Sequence, residues 1–146
     1  MVTNVDEVII NADIQTVWQA LTTTEGSDAF LKVCTVETDW RPGSAIVYTA
    51  TVEDPGVQEA NNEMRWEGTI AALEPHREFS CTYDPQKTGM YKESYFLDRL
   101  EDGRTKVRTE RECISQEVAD AYAEAGPYTT EQLKLYAERI AVRTGA

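Results

Sequence analysis

From Lys32 to Ile114 the sequence keeps a two-residue rhythm, interrupted by turn signals and by no helical period. Successive side chains point to opposite faces of a strand, so such a stretch reads as a series of antiparallel strands. Strand character covers Lys32–Thr38, Ala45–Val52, Met64–Leu73, Phe79–Tyr83, Tyr91–Leu100 and Thr105–Ile114. The breaks fall at Trp40-Arg41-Pro42-Gly43, Glu74-Pro75-His76-Arg77, Asp84-Pro85 with Lys87-Thr88-Gly89, and Glu101-Asp102-Gly103-Arg104. Proline presets one turn dihedral, and Asp-Gly readily takes the left-handed ones that a hairpin needs. A polar loop is expected from Asp54 to Asn62. Without regular strand–helix alternation, a parallel sheet of the nucleotide-binding type is not expected.

Helical spacing belongs to the two ends of the chain. After a first strand at Val5–Ile10, the residues Ile14, Val17, Trp18 and Leu21 follow the i, i+3, i+4, i+7 pattern of one buried stripe. Asn11 or Asp13 can cap that helix, and three consecutive threonines end it at Thr22–Thr24. A short helical turn over Glu25–Ala29 follows. Beyond the strands, Ser115 caps a short helix running to Ala125, which Gly126-Pro127 stops. Thr129-x-x-Gln132 then reads as a capping box for a final helix. That helix carries the stripe Leu133, Tyr136, Ala137 and Ile140, with Arg139 and Arg143 at its negative pole. The expected architecture is α+β, one domain over residues 1–146, with about seven short strands and two principal helices to cover one sheet face.

Alternation also assigns faces. Ile46, Tyr48, Ala50 and Val52 share one face, as do Met64, Trp66, Gly68, Ile70 and Ala72, and as do Thr105, Val107, Thr109, Arg111 and Cys113. Gly68, with no side chain to pack, is expected to mark a bend or bulge that curves the sheet. The strand over 91–100 stays open: Tyr91, Tyr95 and Leu97 favour one register, Ser94, Phe96 and Leu100 the other. A one-residue slip would exchange inside for outside.

Charge narrows the partners. The 146 residues carry 14 Lys and Arg against 26 Asp and Glu, a net charge of −12. Nucleic acid is bound largely by neutralising phosphates, and anionic membranes attract basic segments, so neither is an expected partner. The opening MVTNVDEVII lacks the basic and apolar regions of a signal peptide, and no apolar run reaches bilayer length. Cys34, Cys81 and Cys113 are too far apart for a zinc knuckle or a redox pair, and they read as buried thiols of a cytoplasmic protein. His76 is the sole histidine. Two-histidine zinc sites are thereby ruled out within one chain, and its place in a turn makes it a solvent-facing residue. Phosphate-cradling glycine motifs are absent from the sequence, so no cofactor is expected and no metal.

Taken in order, four segments resemble one family. "INADIQTVWQALTT" (Ile10–Thr23) resembles a first strand and Trp-containing helix. "DWRPGSAI" (Asp39–Ile46) resembles a Pro-Gly turn before a third strand, "WEGTIAALEPHREFSCTY" (Trp66–Tyr83) a Trp-x-Gly strand with its Glu-Pro turn, and "LEDGRTKVRTE" (Leu100–Glu110) a glycine turn and outgoing strand. Together they resemble the activator-of-Hsp90-ATPase-homologue-like branch of the START/Bet v 1-like (SRPBCC) superfamily, from Val5 to about Val142. The resemblance implies a helix-grip fold, a curved seven-stranded antiparallel sheet around the C-terminal helix with a cavity between them. It carries no catalytic signature. Members bind lipids, hormones or polyketides, act as cyclases or aromatases, or bind a chaperone. This chain departs from the common pattern in having Phe30-Leu31 where an aromatic pair is usual.

Candidate cavity-lining residues are Trp66, Phe79, Tyr83, Tyr91, Glu93, Tyr95, Arg111, Leu133 and Tyr136. Pockets combine apolar walls with a few orienting polar groups, and tyrosine supplies both. Against this stands an ordinary filled core, the stronger reading for any single aromatic residue and most of all for Trp18 in the middle of its stripe. Of the strand charges Arg65, Glu67, Glu93, Arg108 and Arg111, most should face water; Glu93 or Arg111, if the register placed it in the interior, would become a ligand-orienting or acid/base group. Three functions follow: binding of a small hydrophobic or amphipathic molecule, a chaperone-associated or stress-response interaction with a protein partner, or cyclase, dehydratase or hydrolase chemistry on a carbonyl compound. Both a monomer and a homodimer are compatible with the sequence.

Overall fold

The computed structural model describes residues 1–31, 34–51 and 63–144. Its elements run β1 (Val2–Ile10), α1 (Ile14–Leu21), α2 (Thr24–Leu31), β2 (Cys34–Thr38), β3 (Ala45–Thr51), β4 (Glu63–Glu74), β5 (Glu78–Tyr83), α3 (Pro85–Thr88), β6 (Met90–Arg99), β7 (Thr105–Cys113) and α4 (Gln116–Thr144). The strands form one curved antiparallel sheet in the order β1-β7-β6-β5-β4-β3-β2, and α4 lies along β1 and against α1 and α2. The helix-grip arrangement is present. The Asp54–Asn62 loop and Val52 fall outside the described residues.

Local chemistry accounts for the boundaries. Asp13 caps α1, its carboxylate accepting from the Thr16 amide at 2.8 Å, and Ser115 caps α4 by accepting from Val118 N. Such a cap satisfies one of the free amides of a first turn. The Asp102-Gly103 hairpin is formed, with Gly103 at φ 87°. β1 closes the sheet by pairing with β7 from Val2↔Cys113 to Ile10↔Thr105. Both outer strands have backbone groups taken by side chains. Lys134 donates to the Ile9 carbonyl of β1, and Asp28 accepts from the Val36 amide of β2. Blocked edge groups discourage strand-to-strand association.

The final helix differs from the expectation. Instead of two helices separated by Gly126-Pro127, one 29-residue helix passes through that dipeptide. Thr129 to Gln132 is therefore mid-helix and caps nothing. A proline inside a helix costs about 3 kcal/mol, and anchors on both sides oppose that cost. Ahead of it, Tyr122 donates to the Thr88 carbonyl at 2.7 Å. After it, Thr130 donates to Asp6 of β1 at 2.8 Å, and Leu133 and Ala137 are wholly buried.

The sheet's irregularities also fall elsewhere than expected. Gly68 keeps a regular ladder with Ile46 and Tyr83. The shift lies between Ile70 and Ala72, so the extra residue is Ala71. An extra residue reverses the facing of everything beyond it. Leu73, opposite Phe79, takes the inward place that simple alternation assigns to Ala72. Gly68 serves a different purpose: a Cβ there would stand 2.7 Å from the Tyr83 ring. Its missing side chain lets that ring lie across the sheet.

Candidate functional site

A second irregularity builds the site. Met90 and Lys92 of β6 face Cys113 and Glu112 of β7, which leaves Tyr91 as the extra residue. This settles the open register. Beyond the bulge Glu93, Tyr95 and Leu97 stand opposite Arg111, Thr109 and Val107, and the shared face of β7 from Thr105 to Cys113 is the buried one. Met90 is buried, whereas Tyr91 is 44% exposed.

Between this sheet face, α2 and α4 lies a cavity of about 250 Å³. Trp66, Phe79, Tyr83, Glu93, Tyr95 and Arg111 line it, as six of the nine sequence candidates. The other three do not. Tyr91 is turned outward by the bulge, Leu133 is sealed in the core at 0% exposure, and Tyr136 packs half-buried against that core. Sequence reasoning missed Tyr48 of β3, Tyr122 of α4, and Ser27, Phe30 and Leu31 of α2. The Ile46–Tyr48 alternation held the signal for Tyr48. α2 offered none, because its eight residues show no strong apolar stripe.

The polar floor is an ion pair directly across two strands. Arg111 Nε donates to Glu93 Oε2 at 2.8 Å, with side-chain exposures of 3% and 17%. Arg111 Nη1 also donates to Asn4 Oδ1 at 3.2 Å, and the guanidinium lies 6.0 Å from the Tyr122 ring centre. Burial disfavours the Arg111 charge, but Glu93, Tyr95 and Asp6 together outweigh it, so its pKa rises. A buried charge needs such a partner, because one left alone is costly.

Around the pair stand phenols that stay neutral. Burial, then Cys81 and Glu93, push the Tyr48 hydroxyl well above its usual pKa. Burial, Tyr48 and Glu93 do the same to Tyr83. Tyr95 is raised by burial and by Glu93, with Arg111 pulling the other way. Burial pushes the Cys81 thiol up to about 12. Such a thiol is no thiolate nucleophile at neutral pH. Trp40, Phe79 and Tyr95 form an aromatic row, with centroid separations of 5.8 and 6.1 Å; the second pair is nearly parallel, at 15°.

Other chemistry is thinly supported. His76 sits half-buried in the β4–β5 turn, its ring edge-on to Trp18 at 6.4 Å, and does not line the cavity. Among the described residues there is no cluster able to hold a metal ion, and no helix long and apolar enough to cross a membrane. Cys81 and Cys113 are buried free thiols; the Cys34 side chain lies outside the described residues.

Comparison with known proteins agrees with this architecture. The sequence profile of the family described as "Activator of Hsp90 ATPase homolog 1-like protein" matches residues 11–142. None of the curated proteins matches the chain. Among solved structures, a protein of Cytophaga hutchinsonii superposes with a TM-score of 0.75 at 19% identity, covering 97% of each chain. The Aha1 dimer from Colwellia psychrerythraea does so at 0.68 and 19% identity, over 94% of this chain and 97% of that one. An AHSA1-like protein from Aeromonas hydrophila gives 0.72 at 16% identity, over 96% and 94%. At such identities the likeness shows a shared fold, and function has to be argued from the site.

Proposed function

Because this chain belongs to the Activator of Hsp90 ATPase homolog 1-like family, we propose that it binds a small hydrophobic or amphipathic molecule in the cavity between its sheet and α4. Domains of this kind commonly bind hydrophobic ligands or act in chaperone-related roles. The observation that carries the first role here is the aromatic-walled space of about 250 Å³ with an ion pair on its floor. Ligand pockets start at about 300 Å³, so the guest is small. Cytoplasmic location is part of the same proposal. Native mass spectrometry after incubation with a metabolite extract should show a retained small molecule. No retained species, together with a crystal structure whose interior is filled by side chains, would overturn the reading.

A second reading, association with a chaperone, is supported by the family and by a net charge of −12 that steers toward basic surfaces. It predicts salt-sensitive capture of a chaperone from a stressed lysate. Capture at background level would remove it.

A further inference from the structure

Two of the residues lining the cavity carry charge, Glu93 and Arg111, and they neutralise one another. Asp6, held by Thr130, adds a further negative field at Arg111. A carboxylate entering this space would leave an uncompensated buried negative charge, which is costly in a poorly solvated interior. An ammonium would stand beside a guanidinium already engaged with Glu93. Among the described residues the remaining lining groups are uncharged, and the tyrosines are held in their neutral form.

Glu93 still has capacity to accept. Arg111 engages Oε2, while Oε1 has no partner among the described residues and is not sealed from the space beside it. An ionised carboxylate accepts at both oxygens. The nearly parallel Phe79 and Tyr95 rings suit a flat body. An apolar cavity of about 150 Å³ takes one benzene ring, so about 250 Å³ has room for a body of two fused rings.

We infer that the cavity selects an uncharged, flat, hydroxyl-bearing ligand of about naphthol size, whose hydroxyl donates to the unengaged oxygen of Glu93, and that it discriminates against carboxylates. This rests on the ligand-binding reading above. Isothermal titration with naphthalene, β-naphthol and β-naphthoate at pH 7 tests it. A hydrogen bond to a charged group corresponds to about tenfold or more in affinity. β-Naphthol should therefore bind about tenfold or more tightly than both other probes. Glu93→Gln should bring β-naphthol down toward naphthalene and raise β-naphthoate, because Arg111 then lacks its counter-charge. If that variant fails to fold, Glu93→Asp withdraws the acceptor but keeps the charge; it should weaken β-naphthol while β-naphthoate remains excluded. Equal binding of naphthalene and β-naphthol, or of β-naphthoate and β-naphthol, overturns this inference and leaves the ligand-binding reading standing. Failure of all three probes to bind the folded protein also overturns this inference, while the ligand-binding reading is decided separately by the metabolite incubation.

Discussion

The interior has two halves of different construction. One half is solid: Ile10, Val17, Val107 and Leu133 are sealed between β1, β7, α1 and α4. The other half encloses the cavity, and it is walled by Tyr48, Trp66, Tyr83, Tyr95 and the Glu93–Arg111 pair. Aliphatic chains of moderate size interdigitate to close packing. The cavity lies instead among rigid rings and groups that must keep hydrogen-bond partners. The fold thus combines a filled half with a half that leaves space among its rings.

The contrast predicts unequal costs for similar changes. The largest is expected at Arg111. Arg111→Met strands the Glu93 carboxylate and should lose about 3–5 kcal/mol in urea unfolding, most of it recovered in the Glu93→Gln/Arg111→Met double variant. A loss below about 1 kcal/mol would mean that water screens the pair as it does at a surface. Next is a matched pair of truncations. Leu133→Ala, in the solid half, should cost about 2–5 kcal/mol. Leu31→Ala, at the cavity wall, should cost less than half of that, because the removed atoms already face a void on one side. Equal costs would erase the distinction between the halves.

Away from both halves, Asp13→Ala removes the α1 cap and should cost about 1 kcal/mol at pH 7. The amide hydrogen bond from Thr16 holds the Asp13 pKa below its ordinary 3.8. A depressed carboxylate stabilises above its unfolded pKa, and the benefit is lost as pH falls through the folded one. The gap between wild type and variant should hold above pH 3.8 and close below it; unfolding curves across pH 2–7 would check this. The smallest effect is expected at the exposed Arg65–Glu67 pair, whose side chains are 63% and 61% exposed. Arg65→Ala should shift stability by about 0.5 kcal/mol or less.

Much of this arrangement is legible in the residues. The period-2 rhythm places the strands, the Ile14–Leu21 stripe places α1, and the Asp-Gly turn places the last hairpin. That Thr105, Val107, Thr109, Arg111 and Cys113 share one face follows from alternation; that this face is the inward one comes from the packing. What alternation does not carry is a bulge. Ala71 and Tyr91 look like any strand residues, yet each reverses the facing beyond it, so Leu73 replaces Ala72 and Tyr91 leaves the interior. The Gly126-Pro127 pair carries a strong local stop signal that tertiary anchoring overrides, since Tyr122 and Thr130 tie the helix to α3 and β1. The contribution of α2 depends on packing between distant segments, which local pattern does not encode.

Gly68 leaves one consequence open to exploitation. It works as a spacer: the Tyr83 ring occupies the room that a methyl group on residue 68 would claim. A larger residue there would push the ring off its seat, at the expense of a nearby Thr82 carbonyl as well. The capacity of the chamber is thus set partly at a position absent from its walls. A change at that one codon would shift the Tyr83 ring while the residues that line the chamber keep their identity.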